Sequence, residues 1–255
     1  MEFNELDKVN LDNLTSLWKV MGVRSDSALS SSNHLNKSLS WPHRCWFDRE
    51  INNPEISSID NFVSDLENDC IIPIWDIEAE QSNRFEQLLI DEGFKISFKQ
   101  SAMYLDIKEY KVIDLPYIDL KIVKSVRDID DWTKVAIQSF EYEIDVSVIR
   151  KIANDPDVRL LIVKVDDQSV ATAMIYKTGE VIGIHQVGVS RAFRGKGIAQ
   201  KLMRLVIAQC IESPCKYITL QASTSGQSLY EKLGFRHQFI IRNYKRELAN
   251  NKSLK

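Results

Sequence analysis

The chain has 255 residues, 44% hydrophobic and 27% charged, the balance of an ordinary globular protein long enough for one large domain or two modest ones. Its 33 basic and 36 acidic residues leave a net charge of −3, which argues against bulk electrostatic binding to nucleic acid or to an anionic membrane. The Met1-Glu-Phe-Asn start lacks the basic and apolar stretches of a signal peptide, and no run reaches the ~18 apolar residues of a membrane span. Cys45, Cys70, Cys210 and Cys215 form no Cys-x-x-Cys pair, so the expectation is reduced thiols, no metal and a cytoplasmic location.

In chain order, Leu6, Val9, Leu14, Leu17 and Trp18 fall at helical spacings and predict an amphipathic helix. The polar run 25–40 predicts a loop, and Trp41, Trp46 and Phe47 mark an aromatic-rich segment after it. A helix over 57–68, a buried strand over 70–75, a helix over 81–92 stopped by Gly93, and a strand over 100–107 follow; 108–116 reads as a linker. Beyond it come a strand over 118–123 and helices over 129–140 and 146–153, the first capped by the acidic run 128–131. A hairpin of 159–165 and 169–176 turns at 166–168. A strand over 180–189, a helix over 198–211 with one apolar face (Ile198, Leu202, Val206, Cys210), and a strand over 216–221 complete the pattern before a short helix that ends at Gly234.

The segment Val187-Gly-Val-Ser-Arg-Ala-Phe-Arg-Gly-Lys-Gly-Ile-Ala199 runs from an apolar strand through a basic glycine turn into a helix. Gly195 and Gly197 let backbone N–H groups approach a ligand, and the first N–H groups of the helix point the same way, which builds an anion site. Arg194 and Lys196 would add charge-assisted hydrogen bonds to a multiply charged group. The turn is neither a P-loop nor a dinucleotide fingerprint, because neither Gly-x-x-x-x-Gly-Lys-Ser/Thr nor Gly-x-Gly-x-x-Gly occurs.

Arg194-Gly-Lys-Gly197-Ile-Ala199 fits Arg/Gln-x-x-Gly-x-Gly/Ala and resembles the pyrophosphate loop of the GNAT superfamily of acyl-CoA N-acyltransferases. A second segment, Leu229-Tyr230-Glu-Lys-Leu-Gly234-Phe235, resembles the Leu-Tyr-x-x-x-Gly-Phe element of the same superfamily, with a helix and a strand between the two. The likeness covers about residues 113 to 248. It implies an α/β fold with a mixed α+β sheet and an N-acetyltransferase that uses acetyl-CoA as co-substrate. Val187, Gly188 and Val189 would form a bulged strand end that pairs with the pantetheine arm, and residues 194–199 (with Gly195, Lys196, Gly197, Ile198 and Ala199) would hold the diphosphate. Tyr230 would stand near the thioester sulfur as acid, while Ser223 occupies a place where relatives carry a pantetheine-binding asparagine.

For the base, period-two alternation puts His185 on the same strand face as Val187 and Val189, and the resemblance to arylalkylamine acyltransferases favours it; Glu180, Glu141 and Glu143 are the alternatives. No cysteine is placed as an acyl-carrying nucleophile. The acceptor is a small-molecule or protein amine, and the protein a monomer or homodimer. A second reading is a non-catalytic acyl-CoA sensor or an interaction scaffold.

Leu88-Leu89-Ile-Asp-Glu-Gly93-Phe94 mirrors the 229–235 segment, with Leu89 where that copy has Tyr230. Residues 1–112 are therefore read as a non-catalytic domain, either a degenerate copy of the fold or a unit that merely ends in an ordinary glycine stop, and 113–255 as the catalytic domain.

Overall fold

The computed structural model describes residues 4–25, 35–38, 40–47, 70–75, 79–111 and 115–246. The chain opens on α1 (Glu5–Gly22), whose buried side chains Leu11, Leu14, Leu17, Trp18 and Met21 follow the expected stripe. A small antiparallel sheet comes next: β1 (Val23–Ser25), β2 (Leu35–Ser38) and β3 (Cys45–Phe47). β2 lies inside the run expected to be a loop. The expected helix over 57–68 lies outside the described residues.

The main sheet has eight strands. Its members are β4 (Ile72–Trp75), β5 (Phe94–Asp106), β6 (Asp119–Ile122), β7 (Val158–Val165), β8 (Gln168–Thr178), β9 (Val181–Val189), β10 (Tyr217–Ser223) and β11 (Arg236–Arg246). Their order is β4-β11-β5-β10-β9-β8-β7-β6, and among the described residues only the β9–β10 pair of this sheet runs parallel. The 112/113 division expected from sequence falls between β5 and β6, yet both strands belong to this sheet. The two helix-Gly-Phe segments lead into β5 and β11, which pair antiparallel along almost their whole length. β5 begins six residues earlier than expected, because its exposed first half, with Lys95 and Lys99 among apolar residues, is held by the β11 ladder rather than by a buried face.

Helices cover both faces. α1, α3 (Val126–Phe140) and α4 (Val146–Ile152) bury Trp132, Ile149 and Ile152 against Leu160, Ile162, Met174 and Ile241. On the other face, α5 (Ile198–Ile211) and α6 (Gln227–Lys232) pack on Leu161, Ala173, Ile182, Ile218 and Leu220. Each Leu or Ile so buried contributes about 1.5–3 kcal/mol. α2 (Ala79–Asp91) closes a third cluster through Leu89, with Ile72, Phe94 and Tyr244.

α3 starts three residues before the expected position. Ser125 caps it by accepting from Asp128 N–H at 3.1 Å, and the Asp128 carboxylate accepts in return from Ser125 N–H at 3.1 Å. α4 is capped in turn by Asp145.

Candidate active site

β9 and β10 pair only over Val181↔Tyr217, Ile182↔Ile218 and Gly183↔Thr219. Beyond that point β9 continues beside β8 as far as Val189, and β10 continues beside β5 as far as Ser223. The facing backbone edges of 184–189 and 220–223 are left without a ladder partner, an opening that an extended ligand can enter as an added strand.

The bulge expected in β9 is present, one position before the expected stretch. His185 pairs with Met174 and Gly188 with Thr172, so Gln186 and Val187 together oppose Ala173. Gln186 takes the left-handed conformation (φ 50°), its C=O accepts from Thr172 Oγ1 at 3.0 Å, and its side-chain Oε1 accepts from the Tyr142 hydroxyl at 3.3 Å. Gly188 is glycine for a different reason: a Cβ there would meet Ser139 Cβ at 2.7 Å and Phe140 Cε2 at 3.0 Å, where the end of α3 presses on the strand. The extra residue also inverts the alternation. Val187 and Val189 pack toward the α5 face, whereas His185 faces α1, so the expectation that all three share a face is corrected.

At the end of β9 the chain passes through a 3₁₀ turn (Arg191–Phe193) to Gly195 (φ 76°) and Gly197 (φ 73°), with open space where either Cβ would stand. Gly197 is the N-cap of α5 and offers no side-chain acceptor. The first N–H groups of α5 are therefore uncapped, unlike those of α3 and α4, and their partial positive charge faces outward. Lys196 Nζ lies 4.7 Å from the Phe193 ring centre. Arg194, expected to reach the anion, turns back instead: Nε donates to Val189 C=O at 3.1 Å and Nη2 to Ser139 C=O at 2.6 Å, tying the loop to β9 and α3. The Ser190 hydroxyl at the loop's root is buried and has no hydrogen-bond partner among the described residues, and no pattern in the sequence marks it.

β10 ends at the same edge of the sheet. Ser223 Oγ accepts from Gly226 N–H at 3.2 Å and closes the turn into α6. A Cβ on Gly226 would stand 3.2 Å from Ser223 Oγ and 3.4 Å from Tyr230 Cε2, so the turn lies against the tyrosine ring. Tyr230 is buried, edge-on to Phe235 with ring centres 5.9 Å apart, and burial pushes its hydroxyl up to about 12. It thus keeps its proton at every physiological pH.

His185 is buried against α1, with Nε2 3.2 Å from Asn13 Oδ1. Asn13 Nδ2 donates to Tyr176 C=O at 3.1 Å and to Thr178 Oγ1 at 2.8 Å, which orients the amide and makes the imidazole Nε2 the protonated nitrogen. Only a glycine at 183 allows this: a Cβ there would lie 1.9 Å from Asn13 Oδ1 and 2.3 Å from His185 Nε2. Burial lowers the His185 pKa to about 4, against a smaller raising effect of its hydrogen bond with Gln221.

Glu180 is not brought into this site. It stands at the opposite end of β9, about 30 Å from Val189 at ~3.3 Å per residue, and forms an exposed ion pair with Lys216 at 2.5 Å. Glu141 and Glu143 flank Tyr142 in the exposed turn after α3.

The sequence reading missed a polar row on the α1 face. Gln221 Nε2 donates to Asn10 Oδ1 at 2.8 Å, Gln100 Nε2 to Gln221 C=O at 3.5 Å, and Asn243 Nδ2 to Gln100 Oε1 at 3.2 Å. Arg44 Nη1 donates to Asn243 Oδ1. These residues come from α1, β11, β5, β10 and the bridge beside β3, so no local pattern announces them. Among the described residues, no group of three or more His, Cys, Asp or Glu side chains gathers as metal ligands would, and no helix is long and apolar enough to cross a membrane.

Residues 124–235 match the model of the acetyltransferase (GNAT) family. No curated protein matches the chain. Among solved structures, a GCN5-related N-acetyltransferase from Kribbella flavida is similar over 96% of this chain and 96% of its own, with a TM-score of 0.66 at 14% identity. A functionally unknown conserved protein from Staphylococcus epidermidis is similar over 86% and 93%, with a TM-score of 0.60 at 16% identity. A GCN5-related N-acetyltransferase-like protein from Streptococcus suis is similar over 93% and 100%, with a TM-score of 0.56 at 16% identity. At these identities the structural likeness concerns the fold. The family match, which spans the parted strands, the glycine loop and Tyr230, goes further: residues 124–235 are a domain of the GNAT superfamily, whose members transfer acyl groups from acyl-CoA.

Proposed function

We propose that the protein transfers an acetyl group from acetyl-CoA to a primary amine within a ternary complex. The observation that carries this reading is the coincidence, at one edge of the sheet, of the parted β9 and β10 with the uncapped, glycine-flanked start of α5. The N–H groups of 195–200, with Lys196, take the diphosphate, and Arg194 keeps their loop in place. The backbone edge of 187–189 takes the pantetheine arm, and its N–H groups face the thioester oxygen as an oxyanion site.

The amine nitrogen bonds to the thioester carbon, the C–S bond breaks, and the sulfur leaves as a thiolate. With a pKa of about 12 against ~8.5 for a thiol, Tyr230 does not give its proton up outright. It donates a hydrogen bond that strengthens as charge builds on sulfur, and the thiolate collects its proton from solvent. His185 is kept as the base of this reading: Nε2 is committed to Asn13, and the hydrogen bond with Gln221 favours the ring once it has taken a proton. At a pKa of about 4 it cannot strip an ammonium of ~10.4, so the acceptor reacts from its neutral fraction and His185 takes the proton only as the C–N bond forms. Rate then climbs with the acceptor's own ionisation and shows no inflection near 6.5. A direct transfer agrees with the cysteines, since burial pushes the Cys210 thiol up to about 12 and raises Cys215 as well.

The test is thiol release from acetyl-CoA across a panel of amines, alongside calorimetry with coenzyme A. Tight binding without turnover on any amine would convert the assignment to an acyl-CoA sensor, and no binding would remove both.

A further inference from the structure

Arg44 stands on the stretch of chain just before β3, on the face of the sheet that α1 covers, and has no counter-ion among the described residues. Its guanidinium carbon sits 4.8 Å from the Trp18 ring centre and 5.7 Å from that of Phe98, and Nη1 donates to the neutral amide of Asn243. Nε is buried and has no acceptor. Among the described residues no carboxylate pairs with Arg44, and burial pulls its pKa down to about 10 with only the opposing fields of Tyr142 and Cys70 to offset it. Held by two rings and a neutral amide, this partly buried cation keeps its charge available to an incoming anion.

The position of that cation fits an incoming ligand. Asn243 hands on to Gln100, and Gln100 to the Gln221 carbonyl on β10, two residues before the strand ends at Ser223. Gln100 itself pairs with Ser223. On the other side of the opening stands Tyr142, bonded to the bulge at Gln186 and close enough to Arg44 for the guanidinium to lower its hydroxyl pKa against a larger raising effect of burial. Arg44, over Trp18 of α1, and the bulged end of β9, whose His185 meets Asn13 of α1, thus lie on the same face of the sheet, across from α5. With Nη1 committed to Asn243 and Nε sealed from solvent, the donors left for a ligand are those of Nη2, which can hold a carboxylate oxygen by a charge-assisted hydrogen bond.

We propose that the acceptor amine carries a carboxylate, as in an amino acid, and that Arg44 binds that carboxylate while the amine is held toward the thioester. A single guanidinium matches a singly charged carboxylate charge for charge. The assignment rests on the acetyltransfer reading for its consequence in turnover, but binding of the acid can be measured without an acyl donor.

Two measurements test it with the full chain. In the first, 4-aminobutyrate, butylamine and 2-aminoethyl phosphate are compared for binding by ligand-observed NMR with no acetyl-CoA present, in the native protein, Arg44→Met and Arg44→Lys. The native protein is expected to bind the carboxylate amine best. Arg44→Met removes the guanidinium that sits over Trp18 and is expected to lose the preference by about 10- to 100-fold, with Arg44→Lys between the two because it keeps the charge but not the planar group. In the second, KM for the acid rises by a similar factor in Arg44→Met while the affinity for coenzyme A stays as it was. Equal binding of acid and neutral amine by the native protein, preference for the phosphate, or an unchanged ratio in both folded variants overturns the proposal. Absence of turnover alongside Arg44-dependent binding of the acid would sink the acetyltransfer reading and leave the carboxylate site standing.

Discussion

The two sides of the opening between β9 and β10 are built differently. The side toward α5 comes from one unbroken stretch: strand, glycine turn and helix start follow each other from 181 to 211. The side toward α1 is assembled from residues as far apart as Asn10, Arg44, Gln100, His185, Gln221 and Asn243. A group that all relatives of a fold must grip can be held by a local motif, whose geometry the backbone supplies almost regardless of what surrounds it. A group that differs from one acceptor to the next is met by side chains drawn from many elements.

The comparison can be broken most decisively at Tyr230. Tyr230→Phe removes the hydrogen bond proposed to reach the leaving sulfur and is expected to lower kcat by about 100-fold with the affinity for coenzyme A unchanged. A change in affinity alone would make Tyr230 a packing residue of the α5 side.

On the α1 side, Gly183→Ala would drive a methyl into Asn13 and His185, with contacts of 1.9 and 2.3 Å to relieve. A loss of about 2–3 kcal/mol in urea unfolding is expected, overpacking being relieved only by moving α1 off the sheet. Stability near that of the native protein would mean that α1 is loosely held.

His185 gives the same face a pH signature. Its folded pKa of about 4 lies below the ~6.5 of an unfolded histidine, so between those values the unfolded chain binds a proton that the native state refuses. Unfolding free energy should fall as pH drops through that window, by up to about 3 kcal/mol, and this contribution should level off below 4. His185→Gln, which retains an N–H for Asn13, should flatten that part of the profile. Asp128 and Asp145, whose pKa values are lowered mainly by hydrogen bonds from Ser125 and Ser147, add their own acid losses in both proteins and cancel in the difference.

On the α5 side, Gly197→Ala should leave the core intact and act on the ligand. The left-handed backbone costs an alanine about 1–2 kcal/mol, expected as a 5- to 30-fold weaker Kd for coenzyme A. Smallest of all, Glu180→Gln should change neither kcat nor KM, because the exposed Glu180–Lys216 pair lies at the far end of β9.

Legibility in the sequence follows the same division. The glycine turn, Tyr230 and the run of elements after residue 115 could be read because each rests on neighbours in the chain. Hairpin β7–β8 is an example, its turn at Asp166 and Asp167 using the positive φ values that Asp tolerates. The face of His185 was misassigned because one extra residue in β9 undoes a period-two count, and nothing in Gln186-Val187 marks a bulge. Arg194 looked like an anion ligand because its charge is visible and the two carbonyls that occupy it are not. Arg44 carried no signal at all: the role proposed for it rests on its having no carboxylate partner among the described residues, which only three-dimensional proximity can reveal.

The central placement of β5 has a consequence for how the protein is made and cut. A fragment starting at residue 113 would contain the glycine turn and Tyr230 but would leave a vacant lane between β10 and β11, with two unpaired strand edges prone to intermolecular association. A synthetic peptide spanning 94–106 should seat itself in that lane and restore solubility, making the amino-terminal half a donor of structure to the carboxy-terminal one rather than an appendage to it.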